Sequence, residues 1–179
     1  MKKLIFLFGA LTVMCCKHQE ARRPIDRSKT DRFEQSVERT KNRYAAESEM
    51  IKDIMNQQPQ SKFISSESGF WYTISESGFT DKYKPQFGDT INFDLSISYL
   101  NGTLVYPEES TANQNYVMDQ EALFKGLREG LKLMSVGQRA EFFIPSQLAY
   151  GYYGDGDLVG PNVPLRCKVF LKNITQNKN

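Results

Sequence analysis

The chain has 179 residues, of which 40% are hydrophobic and 25% charged, with a net charge of +2. These values exclude a disordered chain and a polybasic nucleic-acid binder, and the length admits one domain of about 110 residues plus an extension. No internal repeat of solenoid length is present.

Met1-Lys2-Lys3 is a short basic region, and residues 4–14 form an apolar run shorter than the roughly 20 residues needed to span a bilayer. That layout is an export signal. Cys15 and Cys16 close it, where bacterial lipoprotein signals place the cysteine that receives lipid after cleavage. The residue before the cut must be small. Met14 is not and Cys15 is, so Cys16 is the expected lipidated residue and 1–15 the signal peptide; an ordinary secretory signal or a short buried helix are the alternatives. Lipidation would anchor the chain to a membrane rather than thread it through one. Cys167 is then the sole thiol of the mature chain, and no internal disulfide can form. It lies in Leu165-Arg166-Cys167-Lys168-Val169, on the apolar side with Leu165 and Val169, and is expected to behave as a small buried hydrophobe. His18 has no partner in the sequence pattern, so no metal or acid-base role is assigned to it.

Residues 16–29 read as a basic tether. From 17 to 29 there are five Lys or Arg against two acids, with Pro24 in the middle and no hydrophobic period; Arg22 and Arg23 could touch anionic headgroups, or the segment is simply solvated. A helix is expected over 30–58, with Ser28 and Asp31 as a capping pair and Pro59 forbidding a further turn. Phe33, Val37, Thr40, Tyr44, Glu47, Ile51 and Ile54 form one stripe, polar in its middle, that must bury against something. Packing on the chain's own domain and a homodimer through this helix are both open.

The main domain is expected over 62–176. Residues 70–74 have strand composition, punctuated by Gly69 and Ser77-Gly78, and residues 91–97 alternate apolar and polar with period two. Asn101-Gly102 signals a tight turn into a run at 103–106. Residues 119–127, with Leu123, Phe124 and Leu127 at helical spacing, predict a short helix, and 139–144 and 165–174 supply two more strands. Antiparallel strands around one short helix give an α+β domain in which the helix covers the sheet's apolar face.

The run Gly-Leu-Lys-Leu-Met-Ser-Val-Gly-Gln-Arg-Ala-Glu-Phe-Phe-Ile-Pro-Ser-Gln-Leu-Ala-Tyr-Gly at 130–151 closely resembles the signature of the FK506-binding-protein (FKBP) family of peptidyl-prolyl isomerases. The resemblance covers about 62–176 and implies an antiparallel half-barrel sheet wrapped around one short helix, with the helix of 30–58 in front of it. It implies no metal and no cofactor. It places Tyr106, Leu123, Phe124, Tyr150, Leu158 and Val159 around an apolar slot for a proline ring, with the Phe124 N–H and the Tyr150 hydroxyl as donors to peptide carbonyls. Tyr150, Phe124 and Tyr106 are the candidate catalytic residues. Leu95, Leu123, Leu127, Leu158, Val159 and Cys167 are the candidate substrate-binding ones.

Departures from the family pattern accompany the match. Leu127 stands where the slot's floor is normally tryptophan, Cys167 where a wall is phenylalanine, and Leu95 where a tyrosine is frequent. The aspartate that follows the aromatic at 106 is replaced by Pro107, with Glu108 or Glu109 as substitutes if the loop slips by a residue. Loss of the tyrosine and the aspartate together leaves no orphaned polar group. A wider slot predicts weak isomerase activity and poor FK506 binding. Two functions follow: a membrane-tethered isomerase that acts on proline-containing exported polypeptides, or a module that binds a partner's proline loop with little turnover. The signal and the Ala-Arg-Arg-Pro stretch at 21–24 make the chain similar to gliding-motility-associated lipoproteins with an FKBP-like domain. That likeness implies a lipid-anchored, periplasm-facing place in a bacterial cell envelope, at the outer membrane.

Overall fold

A computed structural model describes residues 29–75 and 83–178. The signal, Cys15, Cys16, His18, the tether up to Ser28, and the Ser77-Gly78 pair lie outside the described residues, and Lys29, expected at the end of the tether, is helical. The chain divides into two compact units, Met1–Ser36 and Val37–Asn179. In the first, the described residues are the opening turns of helix α1, which spans Lys29–Asn56. The second carries the rest of α1 and the whole of the sheet.

Among the described residues, seven strands form one antiparallel sheet: β1 (Ile64–Ser65), β2 (Trp71–Ile74), β3 (Thr90–Tyr99), β4 (Leu104–Tyr106), β5 (Gln114–Val117), β6 (Arg139–Ile144) and β7 (Leu165–Thr175). They lie in the order β1-β2-β6-β7-β3-β4, and β5 also pairs with β3. The α+β class and the antiparallel sheet are as the sequence predicts. β3 is the organising strand. One of its edges pairs with β7 from Thr90↔Thr175 to Tyr99↔Leu165, and the other is shared by β5 and β4. Ile91, Phe93, Leu95 and Ile97 are buried with period two, and Asp94 breaks the polar-out alternation. Its carboxylate is nearly buried because Lys172 Nζ lies 2.6 Å away and the Asn113 N–H donates to it at 2.8 Å. The Asn101-Gly102 turn closes as its residue types demand. Gly102 takes φ +87°, and the Thr103 N–H donates to the Asn101 side chain at 2.9 Å.

The short helix differs from its sequence-based bounds. α2 spans Lys125–Leu131, with Phe124 as its N-cap in extended conformation. The preceding stretch is a turn. Asp119 adopts φ +61°, and the Glu121 carboxylate accepts the Val117 N–H at 3.0 Å, which diverts the backbone before the helix begins. Helical spacing of Leu123, Phe124 and Leu127 could not reveal this. α2 presses directly on β6: a Cβ at Gly126 would lie 2.4 Å from Ile144 Cγ2, and one at Gly130 2.7 Å from Phe142 Cε1. The two glycines, four apart, are the contact face.

The stripe on α1 is used only in part. Glu47 and Ile51 are buried, at 3% and 0% exposure, whereas Phe33 and Val37 are 70% and 51% exposed. The polar middle of the stripe thus has a partner inside the domain. Among the described residues no helix is long and apolar enough to cross a membrane.

Candidate functional site

The end of β4, the entrance to α2 and the loop between β6 and β7 converge on one side of the core. Leu95, Leu127, Val159 and Cys167 belong to the buried cluster, and Tyr106, Leu123, Phe124 and Tyr150 are partly buried and packed against it. Leu158 does not join them. Its side chain is 51% exposed, and its carbonyl accepts the Tyr99 hydroxyl at 2.9 Å. Leu158 therefore stands on the rim while Val159 enters the core. Cys167 is wholly buried, and burial pushes its thiol pKa up, so it is a packing residue and not a nucleophile.

Phe124 and Tyr150 are the aromatic pair of the site. Their ring centroids are 4.9 Å apart with planes tilted by 53°, within the range of favourable ring geometry. As N-cap of α2, Phe124 carries its N–H at the helix end where backbone donors lack intrahelical acceptors. The Tyr150 hydroxyl, like those of the exposed Tyr152 and Tyr153, makes no hydrogen bond among the described residues, unlike its partly buried neighbours Tyr99 and Tyr106. Tyr44, Tyr99, Tyr106 and Tyr116 each donate to an acceptor of the chain, whereas among the described residues Tyr150 has no hydrogen-bond partner for its hydroxyl. Burial, then the negative charge of Asp155 and the proximity of Cys167 and Tyr106, push the Tyr150 pKa up to about 12. It is a neutral donor at any physiological pH.

The loop that carries Tyr150 is built from local bonds. A 3-10 turn at Ser146–Leu148 opens it; the Gly151 N–H donates to the Ser146 carbonyl at 2.9 Å, and the Asn162 N–H to the Gly151 carbonyl at 2.7 Å. Asp155 fixes the tip. One of its carboxylate oxygens accepts the N–H groups of Asp157 and Val159, both at 2.9 Å, and the other accepts the Tyr106 hydroxyl at 2.6 Å. Burial alone would raise the Asp155 pKa, but these bonds outweigh it and hold the carboxyl below its usual range. The same bond from Tyr106, followed by burial, raises the Tyr106 pKa. Gly154 permits the tip: it has φ +72°, and a Cβ there would lie 2.3 Å from the Val159 carbonyl oxygen.

Sequence reasoning missed Asp155: it looked for the site's carboxylate in Glu108 or Glu109, as substitutes for the aspartate that the family carries after position 106. That expectation is corrected. Pro107 leads into an exposed 3-10 turn at Glu108–Ser110. Glu108 lines a recess of about 560 Å³ with Thr73, Arg139 and Lys168, on the sheet's solvent face and away from this site. The carboxylate comes instead from a residue 49 positions later. Its signal was present: an aspartate between Gly154 and Gly156, both with positive φ, is Asx-turn chemistry.

Three comparisons bear on this arrangement. The family model described as FKBP-type peptidyl-prolyl cis-trans isomerase matches residues 81–172. "Outer membrane protein MIP" of Legionella longbeachae is 31% identical over 107 residues, which cover 60% of this chain and 45% of that protein. "Probable FKBP-type peptidyl-prolyl cis-trans isomerase FkpA" of Neisseria meningitidis serogroup B is 33% identical over 113 residues, 63% of this chain and 40% of that protein. The chain thus spans less than half the length of these curated relatives. Among solved structures, a peptidyl-prolyl cis-trans isomerase from Pseudomonas syringae pv. tomato superposes with a TM-score of 0.61 at 23% identity, over 76% of this chain and 96% of that one. FkpA from Escherichia coli gives 0.56 at 21% identity, over 98% and 83%. At these identities the structural likeness concerns the fold.

Proposed function

Because the chain belongs to the FKBP-type peptidyl-prolyl cis-trans isomerase family, we propose that it accelerates rotation about X-Pro bonds in exported polypeptides. The barrier to that rotation is about 18–20 kcal/mol, set by amide resonance, and the uncatalysed step takes tens of seconds. Acceleration requires tighter binding of the twisted amide than of either planar isomer. The partly buried Leu123, Phe124 and Tyr150, over a floor of buried Leu95, Leu127, Val159 and Cys167, grip the pyrrolidine ring and strip water from the carbonyl, whose dipole shrinks as resonance is lost. Tyr150, Phe124 and Tyr106 complete the site. The Tyr150 hydroxyl and the Phe124 N–H hold the flanking peptide, and Leu158 meets the substrate at the rim.

The observation that carries this reading is the unpartnered Tyr150 hydroxyl beside the Phe124 ring, where the Tyr99 and Tyr106 hydroxyls are spent on the protein's own acceptors. An exchange measurement by NMR on a set of X-Pro peptides tests it. The full chain is expected to raise the interconversion rate above buffer with at least one peptide, and to do so weakly, since Leu127 and Cys167 replace aromatic walls. Binding without acceleration would favour the alternative, a module that holds a proline loop of an envelope partner.

The finer assignment rests on the N-terminal sequence. The chain is lipid-anchored through Cys16, faces the periplasm from the outer membrane of a bacterial envelope, and supports gliding motility; the name of the Legionella relative is consistent with the membrane part. The exposed Phe33 and Val37 favour a homodimer through residues 30–58. Labelling with a lipid precursor is expected to mark the wild type and not Cys16→Ala. Label retained in that variant overturns the anchor. Unimpaired spreading of cells that lack the protein overturns the motility role, and a monomer by light scattering overturns the dimer.

A further inference from the structure

Helix α1 precedes the isomerase domain, yet two of its side chains, one turn apart, reach the loop that bears Tyr150. Glu47 is 3% exposed. One of its carboxylate oxygens accepts the Ser146 N–H at 2.8 Å and the other the Ser146 hydroxyl at 2.7 Å, across 99 positions of sequence. Four residues earlier, Arg43 Nη1 donates to Asn162 Oδ1 at 2.5 Å.

Ser146 and Asn162 are the two ends of the loop. Between them lie Tyr150, Asp155, Leu158 and Val159. The ends are also joined through Gly151, whose N–H donates to Ser146 and whose carbonyl accepts from Asn162. Tyr150 is thus suspended one residue from a backbone node that α1 holds on both sides. A buried carboxylate is costly unless its oxygens are hydrogen-bonded, and among the described residues both hydrogen-bond partners of Glu47 belong to Ser146. A recess of about 290 Å³ lies beside the contact, lined by Arg43, Glu47, Ser146 and Asn162 with Gln147 and Tyr152, so both bonds border one cavity between α1 and the loop.

We propose that Glu47 and Arg43 are positioning residues for turnover: through Ser146 and Asn162 they fix the loop so that the Tyr150 hydroxyl faces the bound peptide. This rests on the isomerase reading above and extends the machinery to a helix outside the region matched by the family, 81–172. Neither residue touches substrate.

The test uses the full chain with Arg43→Ala, Ser146→Ala, Glu47→Ala and Glu47→Gln. Amide hydrogen exchange and isomerisation kinetics are read together. Arg43 is exposed, so its removal leaves the core intact; Ser146→Ala removes one bond and keeps the backbone contact. Both are expected to speed exchange at the Gly151 and Asn162 amides about three- to tenfold, with β3, β6 and β7 unchanged, and to lower kcat more than they raise KM. Glu47→Gln is expected to restore most of what Glu47→Ala loses, because an amide can accept from the Ser146 N–H and donate to its hydroxyl oxygen. Unchanged loop exchange in Arg43→Ala and Ser146→Ala overturns the proposal. So does faster loop exchange with kcat and KM unaltered, or faster exchange spread over the whole domain. If the wild type itself shows no turnover, the isomerase reading fails and the exchange data alone decide whether the clamp exists.

Discussion

The Tyr106 hydroxyl donates to the Asp155 carboxylate at 2.6 Å, and this bond ties the end of β4 to the loop that carries Tyr150. The same carboxylate gathers the N–H groups of Asp157 and Val159, so one side chain sets both the curvature of the loop tip and its distance from the sheet. Asp155→Ala removes these bonds together and leaves the Val159 N–H, beside a buried side chain, without its acceptor. The expected result is a three- to tenfold loss of kcat/KM, on the order of one or two hydrogen bonds, with a smaller loss in Asp155→Asn, which keeps an acceptor. Peptide kinetics on the two variants check this.

Turnover is expected to be flat from about pH 5 to 9, since no group of the site titrates there. The signs follow from the two shifts. Asp155 has a folded pKa below its ordinary value, so the stability it contributes is complete above about pH 4, the ordinary carboxylate pKa, and is lost as pH falls through the lower folded value. Tyr150 is raised to about 12, so the folded state stays neutral while the unfolded chain ionises, and stability declines from about pH 10 upward. A pH–rate profile with a bell centred near 7 contradicts this account.

Gly126→Ala is expected to destabilise the domain by about 1–3 kcal/mol, the usual cost of overpacking a filled core. Its new methyl would meet Ile144 Cγ2 at 2.4 Å and the Leu148 carbonyl oxygen at 3.1 Å. Both neighbours lead into the Tyr150 loop, so kcat/KM should fall as well. Urea denaturation with the isomerase assay separates the two effects.

Cys167 is wholly buried with its thiol pKa raised by that burial. Alkylating reagents are expected to label it only at the rate of unfolding, and bound peptide to have little influence on that rate. Rapid labelling of the folded chain, measured by mass spectrometry, contradicts its placement in the core.

Strands with a hydrophobic period, such as β3 and β7, were legible because burial on one face leaves its mark on every second residue. The Asn101-Gly102 turn was legible because few residue types tolerate its backbone angles. β5 was not: Gln114-Asn115-Tyr116-Val117 is a polar segment that becomes a strand only because the edge of β3 offers it partners, which is a tertiary fact. β1 is two exposed residues, too short for any period. In the site, the apolar side chains around Tyr150 came from likeness to a family, and the fold gathers all but Leu158 against the core. Asp155 and Glu47 escaped because their partners lie 49 and 99 positions away. Long-range polar pairing leaves no periodic trace, and the polar middle of the α1 stripe hinted only that something would have to receive it.

The proposed site depends on the Tyr150 hydroxyl, unspent on the protein, being spent on the substrate. It is tested most directly by comparing kcat/KM of wild type and Tyr150→Phe on the best X-Pro peptide, with the fold of the variant checked by its thermal midpoint. A fall of about three- to tenfold is expected, the size of one hydrogen bond to a neutral carbonyl, at an unchanged midpoint. Equal kcat/KM in the two proteins would contradict it.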